Sequence, residues 1–139
     1  MTANLSLPRV GASASDTLRV TAEAIENFAA ATGDANPVHL DEAYAAKSFF
    51  RRRVAHGLLP ATLVGKLLGT ALPGPGSIYL SQTLEFKAPV FIGDSLAARV
   101  AVLAVDEKSA KIRLQTTVAN QRGELVLSGE ALVLYKPPA

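Results

Sequence analysis

The sequence has no cysteine. That excludes disulfides, a thiolate nucleophile, and any zinc or iron–sulfur site built on cysteine. Histidine is scarce: His39 and His56 are the only two in 139 residues. A multi-histidine metal site is therefore not expected, and an enzyme working through imidazole has few candidates. An excess of one charge is also missing. Fourteen Lys and Arg stand against twelve Asp and Glu, a formal net charge of +2. This is not the basic stripe of a nucleic-acid binder. Long apolar runs are absent too. The longest, Gly57 to Leu72, is broken by Pro60, Gly65, Lys66 and Gly69 and is too short to span a bilayer. No basic segment followed by an apolar run marks a signal peptide at the N-terminus. The expectation is a soluble, cytoplasmic protein with neither nucleic acid nor membrane as partner.

What is present suits a folded domain. Apolar residues make up 49% of the chain, enough to set aside intrinsic disorder. The length fits one domain with a proper core, so residues 1–139 are expected to form a single domain, with 1–15 as a loose lead-in. Thr17 to Val20 suits a short strand. Thr21 is placed as a helix N-cap; Ala24, Ile25, Phe28 and Ala29 follow at helical spacing, and Gly33 suits a C-cap. Asp34 to Leu40 reads as a loop, because Pro37 lacks an N–H and biases Asn36 away from helical angles. A short helix after Asp41 would run through Tyr44, Ala45 and Phe49.

From His56 to Leu68 apolar residues occupy almost the whole circumference of a helix, which predicts a helix buried on all sides. Pro60 fits its first turn. After Pro73-Gly-Pro-Gly76 the period becomes two. Ile78, Leu80, Leu84 and Phe86 define one strand, with Tyr79 and Ser81 on its outer face. Ser95 to Val105, apolar on both faces, is expected in the sheet centre. Ile112 to Val118 and Leu125 to Tyr135 complete four strands in a meander. Helices followed by strands imply an α+β domain, with an antiparallel sheet curved around one central helix.

Asp34 and His39 carry the chemistry. On a regular helix their spacing would hold them ~140° apart, but Pro37 breaks the helix and lets a loop turn both side chains to one point. A carboxylate and an imidazole sharing a water form an acid–base pair. Phe28, Val38, Leu40, Phe49 and Phe50 are candidates to lower the local dielectric around them. A helix beginning at His56-Gly57 offers free N–H groups and the positive end of its dipole, and glycine lets a ligand approach its backbone closely. Taken singly, each residue has a plainer alternative. Asp34 can be a turn residue, His39 a polar surface residue, and His56 a hydrogen bonder at the helix start.

The pattern Gly33-Asp-Ala-Asn-Pro-Val-His-Leu-Asp41, followed by Val54-Ala-His-Gly-Leu58, resembles the hydratase motif of the MaoC-like family, and among its members the short (R)-specific enoyl-CoA hydratases. The similarity runs from about Val20 to Tyr135 and takes in Pro73–Tyr79 and Phe86–Asp94. The resemblance implies a hot-dog fold and a homodimer whose sheets join edge to edge. It implies reversible hydration of trans-2-enoyl-CoA to (R)-3-hydroxyacyl-CoA within fatty acid metabolism. By the same resemblance Asp34 and His39 are the catalytic pair, and the Gly57 N–H polarises the thioester carbonyl. Asn36, with Pro37 and His56, shapes the site. Some members carry serine in the central helix where this chain has Gly65; Thr62 or a water is then expected to substitute.

Arg51, Arg52 and Arg53 suit the phosphates of coenzyme A or the acidic surface of an acyl carrier protein; a solvated basic turn is the equal alternative. Other functions remain open on this fold: a (3R)-hydroxyacyl-carrier-protein dehydratase with the same residues, a thioesterase, or a noncatalytic acyl-thioester binding subunit. No metal or cofactor is implied, because acid–base groups suffice to activate water.

Overall fold

The structure, a computed structural model, describes residues 6–139. Its first strand, β1 (Ser13–Arg19), starts earlier than Thr17. The expected loose lead-in over 1–15 therefore needs correcting where it is described; its first five residues lie outside the described range. Leu7 packs against the core, and the Gly11 N–H donates to the Val102 carbonyl at 2.9 Å. Burial and pairing tie this segment down.

Helix α1 (Ala22–Thr32) begins as the sequence predicts. The Thr21 hydroxyl accepts from the Ala24 N–H, and Gly33 ends the helix at φ 79°, a left-handed conformation that glycine adopts without a Cβ penalty. The next segment corrects the expected loop. Asn36 caps a short helix α2 (Pro37–Leu40), with Pro37 in its first turn. Proline is tolerated there because that N–H has no intrahelical partner. Asp41 then caps α3 (Glu42–Ala46), which stops before Phe49.

The central helix α4 (Leu58–Thr70) has Gly57 as N-cap. Leu59, Leu63, Val64, Leu67 and Leu68 are buried. The helix is not enclosed on every side, however. Leu58 is 56% exposed, and Thr62, Lys66 and Gly69 are also open.

Five further strands follow: β2 (Ser77–Gln82), β3 (Glu85–Phe86), β4 (Ser95–Asp106), β5 (Lys111–Ala119) and β6 (Leu125–Tyr135). They form with β1 one antiparallel sheet in the order β1-β4-β5-β6-β2, with β3 also paired to β6. The sheet packs around α4, which touches β1, β4, β5, β6 and β2. This is the α+β hot-dog arrangement: an antiparallel sheet wrapped around a central helix.

Three sequence expectations change here. The four-strand meander holds only for β4-β5-β6, since β2 adds to the far side of β6. The strand expected from Ile78 to Phe86 is two strands on the same edge of β6, interrupted at residues 83–84, where the backbone lies close against Gly129. A Cβ on Gly129 would lie 1.8 Å from the Thr83 carbonyl oxygen, so only glycine admits that close approach. Finally, β4 is second in the order, beside β1, and the middle strand is β5. In β4, Leu96, Ala98 and Val100 are buried at alternate positions, and the register shift before Ala104 leaves Leu103 45% exposed.

Residues 88–94 carry the chain from β3 to β4 and lock the site's frame. The Ala55 N–H donates to the Val90 carbonyl at 2.7 Å, and Val20 and Gly93–Asp94 exchange main-chain bonds at 2.7 and 2.8 Å. Among the described residues, no helix is long and apolar enough to cross a membrane.

Candidate active site

The two short helices α2 and α3 hold the Asp34–Asp41 segment against the start of α4. Asp34 sits just past α1. Its main-chain N–H is taken by the Thr32 hydroxyl at 3.2 Å, and its carboxylate accepts from the Asn36 N–H at 3.3 Å. Asn36 in turn accepts from the Val38 N–H at 3.1 Å. Its site-shaping role is therefore that of a helix cap, and Pro37 begins the turn that swings His39 back.

His39 is half-buried. Its Nδ1 lies 2.7 Å from the Val54 carbonyl. A carbonyl only accepts, so Nδ1 carries the proton and Nε2 keeps a free lone pair. One carboxylate oxygen of Asp34 and one ring nitrogen each from His39 and His56 lie within 4.8 Å of one another. A single water bridges a gap of that size with two ordinary hydrogen bonds.

Carboxylate and imidazoles so close also raise the question of a metal. The His39 and His56 rings are stacked, with centroids 3.8 Å apart and planes 32° from parallel. Each ring spends one nitrogen on a main-chain carbonyl, which leaves one nitrogen per ring beside the Asp34 carboxylate.

Gly57 lies beside this pair. In the first turn of α4 the Leu59 N–H turns to the His56 carbonyl at 3.0 Å, and Pro60 has none. The Gly57 and Leu58 N–H groups are left without intrahelical partners at the positive end of the dipole. Two cavities meet over His56 and Gly57. One, of about 360 Å³, is lined by His39, Val38, Phe50, Val54, Val90 and Val126. The other, of about 410 Å³, is lined by Asp34, Phe28 and Thr32. Phe86 borders both, and its ring would lie 3.6 Å from a Cβ on Gly57. The site is thus an apolar cleft with a few polar groups at its floor, the usual form of a small-molecule site.

The apolar neighbours expected around the pair divide. Phe28, Val38 and Phe50 line the cavities, and Leu40 packs on the core. Phe49 is 92% exposed and takes no part.

The three arginines also part company. Arg51, at φ 67°, and Arg52 are exposed; the Arg52 guanidinium stacks over Phe91 at 3.8 Å. Arg53 is only 9% exposed. Its Nε–H donates to the His39 carbonyl at 2.7 Å, and its terminal nitrogens face Glu26 and Glu42 at 3.8 Å. Arg53 is therefore a brace beneath His39, which corrects its expected role as a phosphate contact.

Gly65 and Thr62 lie elsewhere, in a groove of about 480 Å³ between α4 and β2. Thr62 donates to the Leu59 carbonyl at 2.6 Å and does not support Asp34. Tyr79 faces this groove, 3.8 Å from a Cβ on Gly65, and Ser81 lines it too, against the expected outer-face placement. Burial raises the Tyr79 phenol above its ordinary pKa. Sequence reasoning missed Phe86 and the brace role of Arg53. The acidic partners of Arg53 lie on two different helices, and no local spacing signals them.

Comparison with known proteins identifies the family. The family model "MaoC like domain" matches residues 7–123. The (R)-specific enoyl-CoA hydratase of Aeromonas caviae is 47% identical over 124 residues, covering 89% of this chain and 92% of that protein. The 3-hydroxybutyryl-CoA dehydratase of Methylorubrum extorquens is 46% identical over 114 residues, covering 82% and 72%. Among solved structures, the R-hydratase PhaJ1 of Pseudomonas aeruginosa superposes with a TM-score of 0.89 at 43% identity, covering 94% of this chain and 84% of that one. The chain belongs to the MaoC-like family of hydratases and dehydratases, as its motif implied.

Proposed function

We propose that this protein reversibly hydrates trans-2-enoyl-CoA to (R)-3-hydroxyacyl-CoA, with Asp34 and His39 as the catalytic pair and the Gly57 N–H as oxyanion donor. The observation that carries the reading is the grouping of the Asp34 carboxylate and a His39 ring with a free Nε2, within water-bridging distance beside an open helix N-terminus. The relatives' named activities point the same way.

The enoyl thioester binds with its carbonyl oxygen at Gly57. The pair holds one water and takes its proton as the oxygen bonds to the β-carbon. The electrons of the double bond move toward the thioester oxygen, where the Gly57 N–H and the dipole of α4 stabilise the enolate. A proton then passes from the pair to the α-carbon, so that H and OH have been added and the pair is restored. Base and acid are roles of the pair.

The protein acts as a single-domain chain in a cytoplasmic homodimer. The dimer is supported by the β2 edge, where Ile78, Tyr79 and Leu80 are each 45–47% exposed. Unpaired apolar edges are otherwise association hazards. Sedimentation analysis tests this: a monomer at micromolar concentration rules it out.

The function is tested with crotonyl-CoA, following loss of the enoyl-thioester absorbance for wild type beside Asp34→Asn. Loss in the wild type alone, with a 3-hydroxyacyl product and no free thiol, is expected. Free thiol instead identifies a thioesterase, and turnover only on carrier-protein thioesters identifies the dehydratase. Binding without turnover identifies a noncatalytic subunit.

A further inference from the structure

His56 is 2% exposed, and one ring serves three neighbours. Its Nε2 lies 2.9 Å from the main-chain carbonyl of Asp34; the carbonyl accepts, so Nε2 carries the proton. Its ring stacks on His39 at 3.8 Å and tilts against Phe28 at 4.7 Å. Its own backbone leads directly into Gly57. The remaining nitrogen, Nδ1, is buried with no hydrogen-bond partner.

That last feature is informative. A buried acceptor without a donor carries a desolvation penalty. For packing alone, an apolar ring of similar shape would serve better between α1 and α4. The nitrogen that is used reaches the peptide of Asp34, and the ring face that is used meets the imidazole of His39. Both halves of the acid–base pair therefore take their position from the same side chain.

We infer that His56 is a positioning residue, setting the separation of Asp34 and His39 through an Nε2–H bond to the Asp34 carbonyl and a ring stack on His39. The inference rests on the proposed role of that pair. His56 moves no proton in this scheme and acts through its neighbours. Its protonation is opposite to that of His39, with the proton on Nε2 in His56 and on Nδ1 in His39.

Two variants separate the two contacts. His56→Phe keeps a ring for the stack and loses the donor. His56→Gln loses the ring but places an amide N–H the same number of bonds from Cα as Nε2. His56→Phe is expected to melt close to wild type, because Asp34 lies in an exposed segment whose carbonyl can turn to water. Its kcat on crotonyl-CoA should fall by about tenfold to a hundredfold, the effect of misplacing reacting groups by up to about an ångström. KM should change less than kcat, because the loss falls on the placement of the pair rather than on the apolar walls of the cleft. His56→Gln should regain part of that kcat. A His56→Phe enzyme with wild-type kcat overturns the inference, as does a fall in kcat that tracks a fall in melting temperature in both variants.

A measurement free of activity stands beside these. With two histidines in the chain, 15N-histidine NMR resolves all four ring nitrogens. One ring protonated at Nδ1 and the other at Nε2 is expected, and the same tautomer on both rings overturns the inference. If the wild type does not turn over enoyl-CoA but the opposite tautomers are present, the functional reading has failed and the geometry of His56 has not.

Discussion

The sheet with its central helix and the loop region over its end are held together in different ways. In the first, Ile112, Leu114 and Val118 of β5 are fully buried against Leu63, Val64 and Leu67 of α4 within one apolar cluster. Burial of area does the work and is indifferent to direction. In the second, three side chains each reach a main-chain carbonyl: His39 to Val54, His56 to Asp34, and Arg53 to His39. These bonds are directional and fix ring planes and tautomers. Stability should therefore reside in the core, and activity in the loops.

Substitutions can break that separation or sharpen it. The largest effect is expected from Asp34→Asn: a fall in kcat of about 10²- to 10⁴-fold, the range for losing a positioned acid–base group, with an unchanged melting curve because Asp34 is exposed. A large loss of stability would contradict the separation. Ile112→Ala is the converse. It should cost about 2–5 kcal/mol by denaturant unfolding, while enzyme that remains folded keeps its kcat.

Arg53→Met lies between the two. It keeps most of the apolar stem and removes the donor to His39, so a loss of about 1.5–3 kcal/mol is expected together with a measurable fall in kcat. A change in one without the other would show that the brace belongs to one region only.

The smallest effect concerns pH. The Lys66 ammonium, hydrogen-bonded to Asp16 at 2.7 Å, holds that carboxyl below its ordinary pKa, helped by the Thr17 N–H. A depressed folded-state pKa contributes stability above the unfolded carboxylate pKa, and the contribution disappears as pH falls through the lowered value. Asp16→Asn should therefore melt slightly below wild type at neutral pH, with the gap closing in acid. Both side chains are partly exposed, so screening by salt should shrink the difference as well.

Much of this was legible in the chain. The cap at Thr21, the stop at Gly33, the start of α4 at Gly57, and the period-two run of β5 all follow from local rules, because a cap or an alternation needs only neighbouring residues. The Asp34–His39 pair was legible through its motif. The arginines were less so. Arg51, Arg52 and Arg53 are chemically alike and adjacent, yet only Arg53 turns inward, toward Glu26 and Glu42 on two other helices. The openness of α4 along Leu58 and Thr62 was also hidden, because apolar periodicity does not tell a core face from one awaiting a partner.

The sequence by itself determined the element types, the apolar faces of β5 and α4, and the residues able to do acid–base chemistry, since these depend on side-chain type and short spacing. Only the tertiary structure decided the strand order, with β2 beyond β6 and β4 beside β1, and the close approach of Thr83 that requires Gly129. It alone decided that His56 joins Asp34 to His39. The physical reason is the same in each case. These features depend on which distant backbone carbonyl or strand edge arrives within about 3 Å of a given group, and chain closure sets that distance.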